Sequence, residues 1–368
     1  MGGLILDGHK LAWHRDRVEA YLAGERVAPV TMDIALTRRC NFKCVYCYGR
    51  LQDNPAEKLT LPVIRRLLDD AAEIGVKAVS LVSDGESACS PHVYEAVRHG
   101  KANGLDMAMG TNGALFRWDG RLEGLLDDLT YLRFNISAAT PERFAEIHGC
   151  PIENYEIVCG NIRACVAIKE KKRLPATIGM QMVLLPRYGD QIVPLARLAV
   201  DLGVDYLVIK HCSDDESGTL GVDYSGYGAL AGALREAESL STDRTLVKAK
   251  WSKILSGGKR SYSRCYGPPL ILQMSGSGLV APCGMLFNER YGNCHIGNIA
   301  QTRFRELWRS DRYWEVMRLI ASPEFDARTM CGSLCLQHKV NECLWSVREE
   351  GAVLPRPAED VPPHVNFI

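Results

Sequence analysis

The sequence has no excess of either charge: Lys plus Arg total 44 and Asp plus Glu total 44. A balanced chain has no bulk field that favours nucleic acid or an acidic membrane surface, so neither is expected as a partner. No uninterrupted apolar run approaches the roughly 20 residues that cross a bilayer, although 46% of the residues are apolar. The first residues lack the charged, apolar, small-residue order of a signal peptide, which points to a reducing cytoplasm where disulfides are disfavoured. Leu6 stands where a myristoylation signal after Met1-Gly2 wants Ser or Thr, and Val365-Asn-Phe-Ile368 is not a prenylation box. Cysteine, by contrast, is plentiful, with 14 in 368 residues. In such a compartment that number points to metal binding.

Three of the cysteines fall within eight residues, Cys40-Asn-Phe-Lys-Cys44-Val-Tyr-Cys47, directly after the strand-like run Thr31 to Leu36. A structural zinc site is normally built from paired Cys-x2-Cys units, and only Cys44 and Cys47 form one here. Covalent haem attachment needs His after the second cysteine of the pair, but Tyr48 follows Cys47. Three thiolates instead satisfy three irons of a 4Fe-4S cube and leave the fourth iron open to an exogenous ligand. The spacing Cys-x3-Cys-x2-Cys, with Tyr46 before the third cysteine, resembles the signature of the radical S-adenosylmethionine (SAM) superfamily.

Strand-like segments alternate with helix-like ones from residue 31 to 210: Thr31 to Leu36, Val76 to Val82, Leu105 to Gly110, Tyr131 to Ile136, Thr177 to Leu184 and Tyr206 to Lys210. Between them lie amphipathic stretches such as Leu61 to Ile74 and Ile192 to Leu202, the latter ended by Gly203. Strands separated by helices imply a parallel sheet with crossover connections. Periodicity alone leaves a doubly wound sheet and a barrel open. The resemblance implies a partial (β/α)6 barrel, an α/β fold with its chemistry on the loops after the strands' C-terminal ends, where the three cysteines lie.

The resemblance also implies roles at the other strand ends. Ser83-Asp84-Gly85-Glu86 stands in the place of the family's Gly-Gly-Glu-Pro segment, which binds the SAM amino group, although the first Gly and the Pro are absent. Asn112, in Thr111-Asn112-Gly113, ends the third strand. Asn135 and Ser137 stand where family members bind the ribose hydroxyls, and Val183 and Leu184 stand near the adenine edge.

A second cysteine set follows a helix-like bridge over residues 223–260. Cys265 precedes the apolar run Leu270 to Met274, the turn Ser275-Gly-Ser-Gly278 and Leu279 to Cys283, which read together as a β-hairpin. Cys331, Cys335 and Cys343 close the set. Gly278-x4-Cys283 and Gly297-Asn298-Ile299 resemble the SPASM extension of radical SAM enzymes. The six cysteines after residue 260 favour its shorter "twitch" form, with one auxiliary cluster on Cys265, Cys283 and two of Cys331, Cys335 and Cys343, leaving Cys294 unassigned. Zinc remains the alternative. The expected units are an N-terminal extension over 1–30, the barrel over 31–222, the bridge, the auxiliary domain over 261–350 and a proline-rich tail over 351–368.

Cys159 and Cys165 lie at apolar positions of a helix-like stretch and read as core. Cys212 differs, because it follows the sixth strand and is trailed by Asp214 and Asp215. A thiol at that rim can hand a hydrogen atom to a substrate radical, and a neighbouring carboxylate can take a proton. By resemblance, a reduced cluster cleaves SAM to a 5'-deoxyadenosyl radical, with electrons from a flavodoxin or ferredoxin-type donor. Dehydrogenation or epimerisation then follows. The expected substrate is a sugar, aminocyclitol or nucleoside intermediate, a small molecule. The alternative is a ribosomally made peptide.

Overall fold

The computed structural model describes residues 3–54, 59–116 and 120–368. Among these, ten strands form one sheet. In chain order they are β1 (Thr31–Ile34), β2 (Ala78–Leu81), β3 (Asp106–Thr111), β4 (Leu129–Asn135) and β5 (Thr177–Leu184), then β6 (Tyr206–His211), β7 (Leu246–Ala249), β8 (Ile271–Met274), β9 (Leu279–Ala281) and β10 (Gly297–Asn298). Strands β1 to β7 are parallel neighbours in sequence order, as expected of short βα units whose crossovers all run over the same face.

The amphipathic periods become helices of the anticipated extent. Leu61–Ile74 buries Ile64, Leu67, Leu68 and Ala71, and Ile192–Leu202 buries Leu195, Ala196 and Ala199. Cys159 and Cys165 are buried in the helix Asn154–Lys172. Side chains from β1, β4, β5, β6 and β8 all line a single cavity, so the sheet curves around it as a partial barrel.

Two departures from the sequence reading concern the edges. The bridge contains, besides the helix Ala231–Ser239, a seventh parallel strand, β7. The hairpin β8–β9 is not a separate layer: β8 pairs in parallel with β1, so the auxiliary region continues the barrel sheet. Both strands are four residues long. That is too short for an alternation of residue types to mark them.

The first turn of the cysteine loop is held between two glycines. A Cβ on Gly85 would lie 2.2 Å from the Thr37 carbonyl oxygen, and one on Gly276 would lie 2.1 Å from the Thr37 carbonyl carbon. Gly85 also has φ +97°, which L side chains rarely adopt. Asp84 completes this clasp: its carboxylate accepts from Ser275 Oγ at 2.6 Å and Gly276 N at 2.8 Å and pairs with Arg38 at 3.2 Å.

At the opposite end the tail closes the barrel. Phe367 packs against Ala78, Ala108 and Tyr131. Thr31 Oγ1 donates to the Asn366 carbonyl at 2.7 Å, Asn366 Nδ2 to Asp106 at 2.7 Å and Lys10 Nζ to the Phe367 carbonyl at 2.6 Å. Ligand access is therefore from the strands' C-terminal ends. Among the described residues no helix is long and apolar enough to cross a membrane.

Candidate active site

The cavity at the strands' C-terminal ends has a volume of about 330 Å³. Cys40, Cys44 and Cys47 form one wall, the loop Ser83–Glu86 and Asn112 another, and Asp33, Arg133, Asn135, Gln181, Lys210 and Gln273 the floor. Cys283 and Cys335, from the second cysteine set, line the same cavity.

The three thiols of the β1 loop are desolvated. Burial raises the Cys40 thiol to about 11 and also raises Cys44 and Cys47, and for Cys40 and Cys44 the neighbouring thiols add to the effect. Buried thiols that repel one another's ionised form stay protonated unless positive charge is brought to them, which a shared metal centre does. One zinc ion would need its donors to converge within about 2.3 Å of a point. Among the described residues no three His, Cys, Asp or Glu side chains do so. All three cysteines line one cavity, and three thiolates there fit a cluster with one open iron.

His148 lies beneath this loop, fully buried. Its Nε2 accepts from the backbone N–H of Ser137 at 3.1 Å, so in the neutral ring Nδ1 carries the hydrogen. Burial pushes this imidazole down to about 3, keeping it neutral. Nδ1–H is then the donor toward Cys44 Sγ at 3.4 Å and Tyr46 OH at 3.3 Å.

The loop after β2 lines the cavity with Ser83, Asp84, Gly85 and Glu86. Both carboxylates already have partners, Asp84 in the clasp and Glu86 with Ala88 N at 3.0 Å, Thr111 Oγ1 at 2.8 Å and Asn112 N at 2.6 Å. Ser83 Oγ is buried with no hydrogen-bond partner. The open groups here are that hydroxyl and the backbone, which suit a polar ligand better than the two carboxylates do. Asn135 lines the cavity and accepts from Gln181 Nε2 at 2.9 Å, and Val183 lines it too. Ser137 and Leu184 do not. Ser137 Oγ accepts from Val183 N at 3.1 Å, and the Leu184 side chain is buried on the opposite face of β5.

In the second set, four thiols come together. Cys265 and Cys283 are each raised first by burial and then by neighbouring thiols, and Cys331 is raised by burial, with Arg260 opposing and Cys335 and Cys294 adding to it. Arg260 lies among them, donating to the carbonyls of Ala327 at 2.5 Å and Ser333 at 2.6 Å. Asn341 Nδ2 donates to Cys265 Sγ at 3.5 Å. Cys343 is not part of this group: it packs with Val340, Leu344 and Leu11 in a second small core, and Lys339 is the charged group that bears on it. The reading of Cys343 as a ligand is corrected accordingly; one helical turn separates it from Lys339, and its side chain leaves the helix on the core side.

The rim residues after β6 are also placed differently from the sequence reading. Cys212 is buried outside the cavity lining, its thiol against the carbonyls of Ser213 at 3.5 Å and Tyr46 at 3.8 Å. Asp214 accepts from the N–H groups of Asp215 and Leu220, both at bond distances of 2.8–2.9 Å. Asp215 accepts from Thr219 and pairs with Arg290 at 3.4 Å. These carboxylates shape the loop and do not line the cavity.

The structure adds residues that the sequence reading passed over. Asp33, Arg133 and Lys210 project into the cavity from the middles of β1 and β4 and the end of β6. Burial raises Asp33 to about 7, with Arg133 and Lys210 opposing. Burial lowers Lys210 to about 7, with Lys253 and Arg133 adding to it. Gln273 Nε2 donates to Asp33 at 3.4 Å, and Gln273 Oε1 accepts from the N–H of Gly284, beside Cys283. A signal existed: a charged residue within a strand of a sheet covered on both faces is conspicuous, and Arg133 shares the two-residue period of Asn135.

Comparison with known proteins agrees with this geometry. The model of the Radical SAM superfamily matches residues 34–199, and that of the SPASM iron-sulfur cluster-binding domain matches residues 265–336. The AdoMet-dependent heme synthase of Methanosarcina barkeri is 26% identical over 85% of this chain and 90% of its own. The probable GTP 3',8-cyclase of Metallosphaera sedula is 30% identical over 47% of this chain and 53% of its own. In fold, the crystal structure of Streptococcus suis SuiB bound to S-adenosylmethionine superposes with a TM-score of 0.63 at 14% identity, covering 82% of this chain and 71% of that one.

Proposed function

This chain belongs to the radical SAM superfamily and carries a C-terminal SPASM domain, and from that premise we propose that it oxidises a carbon centre of a small polar substrate held in the barrel floor. The observation that carries this reading is that Cys283 and Cys335 line the same cavity as Cys40, Cys44 and Cys47. In this reading Cys40, Cys44 and Cys47 hold the 4Fe-4S cluster that binds SAM, and Cys265, Cys283, Cys331 and Cys335 hold an auxiliary cluster. When bound, the first cluster with SAM supplies hydrogen-atom abstraction, and the auxiliary cluster supplies an electron acceptor.

The chain's own residues do the rest. The backbone of Ser83–Gly85 and the Ser83 hydroxyl receive the SAM amino group, and Asn135 and Val183 face the nucleoside. Asp33, with a pKa near neutrality, takes the proton that leaves the substrate radical as it is oxidised. Burial of the floor beneath the cysteine loop keeps bulk water from the reacting carbon. Oxidation is favoured over epimerisation because Cys212, read from the sequence as the returning hydrogen donor, has its thiol outside the cavity lining. Amide and charged groups on the floor support a small polar molecule over a peptide. Two of the relatives compared above bear names that specify heme synthesis and GTP cyclisation, whereas the fold neighbour SuiB has also been solved with a precursor peptide.

The test is anaerobic reconstitution, reduction with SAM and chromatography for 5'-deoxyadenosine, then turnover with candidate substrates. The expected product lacks a pair of substrate hydrogens, and Cys212→Ala gives the same product. A reduced, iron-loaded protein that makes no 5'-deoxyadenosine would sink the radical reading. An epimer that disappears in Cys212→Ala would sink the oxidation reading.

His148 provides an independent check. Its Nδ1–H toward Cys44 favours the more electron-rich cluster state. Replacing it with Phe keeps the bulk and removes the donor. A difference of about 1 kcal/mol in hydrogen-bond strength between the two redox states corresponds to about 40 mV for one electron. His148→Phe is therefore expected to lower the cluster potential by about 40 mV. The readout is a spectroscopically monitored redox titration, and an unchanged potential would show that the contact does not act on the cluster.

A further inference from the structure

The barrel floor holds more basic than acidic side chains. Arg133 from β4 and Lys210 from β6 both line the cavity, and Lys250 and Lys253 are packed behind them, with Asp7 the carboxylate that bears on both. Lys253 Nζ is held by the Cys335 carbonyl at 2.5 Å. The carboxylate that faces Arg133 and Lys210 across the floor is Asp33. The other two cavity carboxylates, Asp84 and Glu86, lie in the loop after β2 and are occupied by their own hydrogen bonds. Arg133 Nε is buried with no hydrogen-bond partner.

Desolvated cations without a matching anion are costly, because the lost hydration is not replaced. A ligand that brings negative charge favours the protonated form of Lys210, which burial otherwise lowers to about 7, and a guanidinium beside that ammonium suits an oxyanion with several acceptor oxygens. Next to Arg133 on β5 stands Gly179, and the space its missing side chain leaves is filled by the ring of Tyr206 from β6, which flanks the guanidinium.

We propose that Arg133 and Lys210 form an oxyanion subsite that seats a carboxylate or phosphate group of the substrate in the barrel floor. The inference rests on the reading that the substrate occupies this cavity, and it adds the chemical class: an anionic small molecule, anchored by its charged group with the reacting carbon above it toward the cysteine loop. Asp33 on the facing strand then serves two ends. It limits the charge of the empty floor, and it selects against a ligand that places its anion on the β1 side.

The experiment is equilibrium dialysis on the reconstituted, SAM-loaded, unreduced protein, so that binding is read without turnover. One arm compares coproporphyrin III with its tetramethyl ester, and the other compares GTP with guanosine. In at least one arm the charged member is expected to bind at least about tenfold more tightly than its neutral counterpart. Preference in the porphyrin arm assigns a carboxylate, and preference in the nucleotide arm assigns a phosphate. Arg133→Gln and Lys210→Gln should each reduce that preference by about tenfold, and Arg133→Lys should restore part of it. Sulfate, which needs no variant, should compete with the charged probe and leave the neutral one untouched.

No preference in either arm overturns the subsite. So does a preference insensitive to sulfate, or one kept in both Gln variants at the parent's iron content. A parent that binds the charged probe yet never cleaves SAM keeps the subsite and overturns the reaction. A parent that cleaves SAM with no charge preference does the reverse.

Discussion

Alanine at Cys40, Cys44 or Cys47 is expected to abolish 5'-deoxyadenosine formation and to cut iron from about eight to about four atoms per chain. The three thiols stand on one loop, line one cavity and are desolvated together. The neighbouring imidazole cannot substitute as a donor. His148 is the nearest nitrogen, but its Nε2 is taken by Ser137 and its Nδ1 carries a hydrogen. Cys89 and Cys150 lie nearby, and their alanine variants serve as controls that should keep both iron and cleavage. Iron and sulfide counts with nucleoside chromatography decide the matter. Retained cleavage in any of the three loop variants would remove the ligand assignment.

The second large effect separates two candidate sets in the C-terminal region. Pairwise alanine substitution within Cys265, Cys283, Cys331 and Cys335 should also remove about four irons. SAM cleavage should persist while substrate oxidation is lost, because the missing group lies across the cavity from the cysteine loop. Cys343→Ala and Cys294→Ala should keep about eight irons. Cys343 sits in the small core with Val340 and Leu344, and Cys294 is buried, with Arg312 the charged group that bears on it, although its thiol in turn bears on Cys331. Loss of iron from Cys343→Ala would restore the sequence-based ligand set. Loss from Cys294→Ala, with more than about eight irons in the parent, would point to a further cluster.

The cysteine loop was legible because its spacing is local: three thiols within eight residues must share one loop whatever the fold. The six barrel strands and the helices after β1 and β5 were legible for a related reason, since their periods run for several residues within one segment. The roles of Cys212, Asp214 and Asp215 were not. Their position after β6 is correct, yet the loop turns the thiol into the core and uses the carboxylates to satisfy its own N–H groups. The direction of a side chain beyond a strand end depends on how the following loop packs, and no short-range pattern encodes that. Ser137 fails as a cavity residue for the same reason: it keeps the parity of Asn135 but lies past the end of β4.

The sequence by itself determined that this chain carries a three-thiolate loop at the end of a strand, a run of parallel βα units and a second cysteine set behind a hairpin. Each is written in neighbouring residues. Only the tertiary structure decided which four of the later cysteines meet, that the hairpin strand β8 joins β1, and that both thiol groups face one cavity floored by Asp33, Arg133 and Lys210. Those facts depend on residues more than two hundred positions apart being brought together, Asp33 and Gln273 among them. The curvature of a sheet and the docking of its edges set such distances through packing, which local periodicity does not record.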